Sequence, residues 1–263
     1  MTKLIYKNIM MLFVAAGLML VPDLAHAFSI NVDGNLSEWG VTPGAWSTVG
    51  GVRVNNSDWL PNAGILSTVE DSDPAGTGYL NPGWGGQPFD AEALYATYDS
   101  TNLYFAIATG KSPDLVSGYR PGDIAFDFGQ NGSYEYGIKT TGADQGGAYS
   151  AKTWAQGLWN TYDVTEMTAV NNSLGPNVPL VYNNTSYGSD ISGNHYVIEG
   201  YIPISYFGAN WGTPFTMSWT QTCGNDVIQL NVAPSPAPEP STMVLFGIGL
   251  VGLMMVRRKI ALA

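Results

Sequence analysis

Three carboxylates, Glu70, Asp71 and Asp73, fall within four positions of the glycine- and proline-bearing stretch VEDSDPAGTG, and Asp90 and Glu92 follow where an apolar run begins. Calcium takes about six to eight oxygen ligands from carboxylates, carbonyls and water. Glu70, Asp71, Asp73 and Asp90 are therefore the candidate metal ligands and calcium the candidate cofactor. The spacing is not that of an EF-hand, and the alternative is a solvated acidic loop. A second chemistry needs flat rings beside polar groups, because an indole stacks on the apolar face of a pyranose while amides and carboxylates bond its hydroxyls. Trp59, Trp84, Trp154 and Trp159 lie in glycine-rich or polar surroundings and are candidate carbohydrate contacts, with a core position as the alternative for each. Trp39 and Trp219 fit strand or strand-end patterns and are expected in the core.

No catalytic grouping stands out. The chain has neither a Gly-x-Ser-x-Gly elbow nor a His-Glu-x-x-His helix, and its single cysteine, Cys223, cannot form an internal disulfide. Only His195 remains once an N-terminal leader is set aside, which leaves little room for histidine chemistry or for zinc. The expectation is a chain that is not an enzyme. A glycoside hydrolase stays as an alternative, since paired carboxylates can arise among many acids.

These residues need a scaffold and an address. The N-terminus carries Lys3 and Lys7, an apolar stretch from Ile9 to Val21, a helix-breaking Pro22 and the small-x-small run Ala25-His26-Ala27. That layout predicts a secretory signal peptide over residues 1–27, cleaved after Ala27 by signal peptidase following passage through the secretion translocon. At the other end, Pro234, Pro236, Pro238 and Pro240 make a stiff, extended linker over 234–242. An apolar run over 243–256 and a basic tail over 257–263 follow, with Arg257, Arg258 and Lys259 as a membrane stop. As a helix the run is roughly 21 Å long against a hydrocarbon core of about 30 Å. It is expected to act as a temporary transmembrane sorting helix, the precursor being held in the cytoplasmic membrane with its domain outside.

Between the ends, residues 28–233 read as one domain. Residues 28–237 contain five basic and nineteen acidic residues, a net charge of −14, which repels phosphate backbones and sets nucleic acid aside. Short alternating or aromatic runs recur. Strands are expected over Ala93–Tyr98 and Leu103–Thr109, joined by a turn at Asp99–Asn102. Others are expected within GDIAFDFG, SYEYGIKTTG, HYVIEGYIPISYFG and PFTMSWT, with a last strand over Val227–Val232. Asn55 to Phe89 reads as one long loop. The fold class is all-β, an antiparallel β-sandwich.

Two resemblances add to this. Pro238-Glu239-Pro240, the apolar run and the Arg-rich end resemble the PEP-CTERM sorting signal of bacterial surface proteins, which implies an exosortase as partner and the cell surface or extracellular matrix as destination. Asp33, Gly34, Leu36, Glu38 and Trp39, followed by Asp99, Asn102, Leu103 and Tyr104, resemble phrases of the DOMON-like sandwiches, which include family-nine carbohydrate-binding modules. That resemblance implies a sandwich that binds extracellular polysaccharide, often with structural calcium. WTQTCGNDVI, Trp219–Ile228, is similar to the last strands of exosortase-dependent surface proteins. The combined expectation is an exported surface or matrix protein with a non-catalytic structural or adhesive domain, the alternatives being a carbohydrate-binding module and a hydrolase.

Overall fold

A computed structural model describes residues 30–41, 48–49, 52–53, 59–70, 87–158, 163–190 and 193–234. The chain divides into a compact unit, Phe28–Pro234, and a second unit made of Met1–Ala27 and Ser235–Ala263, which lies outside the described residues.

The strands are β1 (Thr48–Val49), β2 (Val52–Arg53), β3 (Leu66–Val69), β4 (Ala91–Tyr98), β5 (Asn102–Thr109), β6 (Ile124–Phe128), β7 (Tyr136–Ile138), β8 (Ala148–Gln156), β9 (Val164–Ser173), β10 (Leu180–Asp190), β11 (Gly193–Pro203), β12 (Phe215–Thr220) and β13 (Val227–Val232). β1 and β2 pair with each other. The rest form two antiparallel sheets, a five-stranded one in the order β10-β11-β5-β4-β3 and a six-stranded one in the order β13-β12-β6-β7-β8-β9.

Alternation decides what lies between the sheets. Ile124, Phe126 and Phe128, then Phe215, Met217 and Trp219, then Ile228, Leu230 and Val232 face inward and meet Leu94, Phe105, Ile107 and Ile198 from the other sheet. Burying each such side chain contributes about 1.5–3 kcal/mol before conformational entropy is counted. The five-stranded sheet is covered on its other face as well. There Leu36, Trp39, Val41, Trp59 and Ile65 pack against Ala93, Tyr95, Ala106, Ala108 and Val197. Seven of the eight residues of β4 are consequently buried, Glu92 and Thr97 among them, so its sequence shows no clean apolar–polar alternation.

A single carboxylate fastens this cover. Glu199 of β11 accepts hydrogen bonds from the backbone N–H of Asp33 (3.0 Å) and Gly34 (2.7 Å) and from the indole N–H of Trp39 (2.7 Å). Gly34 has φ +80°, and a Cβ there would press on Asn183, so only glycine lets the chain bend into the carboxylate. Burial pushes the Glu199 carboxyl up, and its three donors oppose that shift. The phrase INVDGNLSEW is thus a lid latch. The Asp99 turn is equally local in its logic. Its Oδ1 accepts from the N–H of Thr101 (2.7 Å) and Asn102 (2.8 Å), and the Tyr104 hydroxyl donates to its Oδ2 (3.1 Å).

Several expectations change. The transmembrane sorting helix over 243–256 is corrected: among the described residues no helix is long and apolar enough to cross a membrane, and 243–256 itself lies outside them. A run of that length falls short of the hydrocarbon core, and the membrane-anchored precursor built on it is withdrawn with it. The signal segment with Ala25 and Ala27, the linker motif Pro238-Glu239-Pro240 and the stop residues Arg257, Arg258 and Lys259 also lie outside the described residues. Within the stretch read as one loop, Leu66–Val69 is β3, an edge strand paired with β4. The long strands β8, β9 and β10 carry too many Asn, Ser and Thr residues to announce themselves.

Replacing Glu199 with alanine leaves three donors without their acceptor and is expected to cost about 3 kcal/mol. Urea denaturation should show the loss, and a red-shifted emission from Trp39 should report that the cover has lifted.

Candidate functional site on the open sheet face

The second core covers one sheet, and the outward face of the other is only partly exposed. Ser218 of β12, Ala125 and Asp127 of β6 and Gly137 of β7 are buried on it, Thr216 of β12 is half-buried, and Gln229 and Asn231 of β13 are exposed. Its floor is clamped by one ion pair. Lys139 Nζ lies 2.8 Å from Asp123 Oδ2 and donates to the Met167 carbonyl (3.0 Å), while the Met167 N–H donates to the same carboxylate oxygen (2.8 Å). The clamp joins the ends of β6 and β7 to β9.

Asp127 builds the wall. Its two oxygens accept from the N–H groups of Asn131 (3.0 Å) and Gly132 (2.8 Å), which closes the turn after β6. Glu135 Oε2 accepts from the Phe128 N–H (2.8 Å) and fixes the far side of that turn. Within it Gln130 is held at φ 54°, a left-handed conformation that a residue other than glycine seldom adopts. The turn delivers Tyr134 over the sheet, where its carbonyl accepts the Trp154 indole N–H (2.9 Å) and the two rings meet edge-on at 6.2 Å. Trp154 lies over Gly137: a Cβ there would come within 2.5 Å of the indole. Burial, then the nearby Asp163 charge, push the Tyr134 phenol up, so it stays protonated.

A cleft of about 500 Å³ results, lined among others by Ser133, Tyr134, Lys152, Thr153, Trp154 and Asn171. Its volume falls in the range of small-molecule sites. One carboxylate, Glu135, is among the lining residues, and it is already engaged by Phe128.

A separate acidic seam lies where β3, β4 and β13 converge. Glu70 follows β3 and donates its N–H to the carbonyl of Glu92 (2.8 Å). Asp226 precedes β13 and accepts from the Ala91 N–H (2.6 Å), and Glu92 meets His195 Nε2 at 3.0 Å. Burial, reinforced by the Asp226 charge, pushes Glu70 up to about 7. Burial also raises Asp226, to about 6, with the Glu92 charge adding to it and the Ala91 N–H opposing it.

The expected site residues separate. Trp154 lines the cleft, half-buried. Trp59 is buried with its ring 5.6 Å from that of His195 and offers no face to a sugar. Trp39 and Trp219 are fully buried. Trp84, Trp159, Asp71 and Asp73 lie outside the described residues. Glu70 and Asp90 both belong to the acidic seam, but among the described residues no group of three or more His, Cys, Asp or Glu side chains is arranged to hold a metal ion. Cys223 is a buried free thiol. The residues that sequence reasoning missed are Gln130, Gln229 and Asn231 on the face itself. Glutamines and asparagines in an Asn-rich chain carry no signal of their own.

A model of the PEP-CTERM protein-sorting motif matches residues 236–259. The chain carries this motif behind an all-β sandwich, as an exported surface protein processed by an exosortase does. No curated protein and no solved structure matches the chain.

The acidic seam sets a pH dependence. Carboxyls raised by folding bind protons more tightly in the folded chain, so they add stability below their unfolded values near 4 and lose it as pH rises through about 6 and 7. The melting temperature, measured in a chelator, should fall between pH 5 and pH 8, and Glu70→Gln should flatten that fall.

Proposed function

We propose that the sandwich is a non-catalytic adhesive module that holds uncharged polysaccharide of the envelope or extracellular matrix in the Trp154 cleft. The supporting observation is the pairing of Trp154 and Tyr134 over a cleft whose lining also includes the hydroxyls of Ser133, Ser150 and Thr153 and the amide of Asn171, with Lys152 and Glu135 as its charged members. An indole and a phenol supply the apolar surface that a pyranose covers, and neutral hydrogen-bonding groups match its hydroxyls. A net charge of −14 over residues 28–237 disfavours polyanions and leaves neutral glycans as the fitting class. The likeness of INVDGNLSEW and the Asp99 hairpin to DOMON-like and family-nine carbohydrate-binding sandwiches supports the same reading. Among the described lining residues the cleft has one carboxylate, Glu135, and it is engaged, which supports a binding role, since glycoside hydrolysis takes a carboxylate pair.

Export completes the proposal. Residues 1–27 lead the chain through the translocon and are removed by signal peptidase, and the exosortase acts at Pro238-Glu239-Pro240.

Two outcomes are expected. Trp154→Ala should keep the melting temperature within a few degrees while weakening retention on insoluble polysaccharide by about 2 kcal/mol, roughly thirtyfold in affinity. Unchanged retention would refute the cleft as the binding site. Alanines at Pro238, Glu239 and Pro240 should leave a chain whose intact mass still includes residues 241–263.

A further inference from the structure

We infer that the open face takes an internal stretch of a polysaccharide chain, lying along a track from the Trp154 cleft to β13, rather than a chain end. This rests on the cleft being a glycan site and adds to it the length and polarity of what is bound. The track is continuous through contacts between neighbouring side chains. Trp154 meets Tyr134; the Tyr134 hydroxyl receives a hydrogen bond from Gln229 Nε2 (3.3 Å); Gln229 and Asn231 alternate on the same face of β13; and Gln130 Nε2 donates to Asn231 Oδ1 (2.9 Å). From β8 across β7, β6 and β12 to β13 there are four inter-strand steps. At about 4.8 Å each they span roughly 19 Å, room for several linked hexose rings.

The row is built to offer hydrogen bonds of both kinds. Asn231 Oδ1 also accepts from Thr216 Oγ1 (2.9 Å), and Gln229 Nε2 is held by Asp163 Oδ1 (2.7 Å). Each amide thus spends one end inside the row. Gln130 and Gln229 are left with their carbonyl oxygens and Asn231 with its NH2 group. An acceptor, a donor and an acceptor in sequence, on exposed residues that carry no charge, fit the hydroxyls of a neutral sugar chain. Asp127 holds the Gln130 turn in its left-handed form, so the row is set before any ligand arrives.

The test is calorimetry on the purified full-length protein with neutral glucan and mannan oligosaccharides, from disaccharide to hexasaccharide. Affinity should rise about tenfold or more over the series, and reduction of the terminal sugar to its alditol should not change it. The double variant Gln130→Ala/Asn231→Ala, checked for folding by its melting temperature, should lose that rise while binding the disaccharide as the parent does. Should this variant not fold, the length series and the alditol comparison on the parent decide alone. Equal affinity for disaccharide and hexasaccharide, or loss of binding on alditol formation, overturns the track and leaves the cleft standing. Absence of binding at every length overturns both.

Discussion

The Glu199 carboxylate is the contact on which the architecture turns. It sits on β11 and reaches back 160 to 166 residues to Trp39, Gly34 and Asp33. A carboxylate inside a protein is tolerated only when its lone pairs are filled, and here two backbone N–H groups and one indole fill them. In return the N-terminal segment is pinned to the five-stranded sheet, and Trp39 is driven against Tyr95 with ring centroids 6.0 Å apart. Without that pin, Ala93, Tyr95, Ala106, Ala108 and Val197 would form an apolar face open to water.

Covering one sheet decides what the other can do. An antiparallel sandwich has two outer faces, and once one is spent on a second core, the remaining face is the one left for the proposed recognition. The six-stranded sheet meets that role with polar residues that are themselves fixed. Asp123 and Lys139 clamp the floor, Asp127 and Glu135 hold the turn, and the turn sets Tyr134 and Gln130. Gly137 then leaves the hollow into which Trp154 lies. Each polar group in this chain of supports fixes the next, which is how a sheet acquires a shaped site without an α-helix or a disulfide among the described residues.

Much of the scaffold was legible in the sequence because it depends on local patterns. The last strand runs over Val227–Val232 as its alternation predicts, and the Asp99 hairpin follows from a turn whose donors and acceptor lie within a few residues. The polar strands β8 and β9 were not legible. They are held by cross-strand pairing that is interrupted by register shifts, and neither the pairing nor the shifts leave a hydrophobic period. The site was half legible. Trp154 could be picked out by its surroundings, but Gln130 and Asn231 meet across 101 positions and acquire meaning only when β13 closes the sheet. Trp59 shows the converse: a polar sequence context, yet a ring buried beside His195.

The two kinds of carboxylate in this chain divide along the same line. Those on the open face, Asp123, Asp127 and Glu135, each meet a cation or backbone donors and serve as fixed braces. Those of the seam behind β3 and β13 crowd one another, and burial with like charge lifts Glu70 and Asp226 toward neutrality. Like charges are thus gathered where protons can relieve them and kept braced where a ligand would meet them. An acidic chain can hold a net charge of −14 over residues 28–237 and still keep an uncharged amide row exposed, because Asp127 and Glu135 are spent on backbone N–H groups and Asp163 on the amide of Gln229.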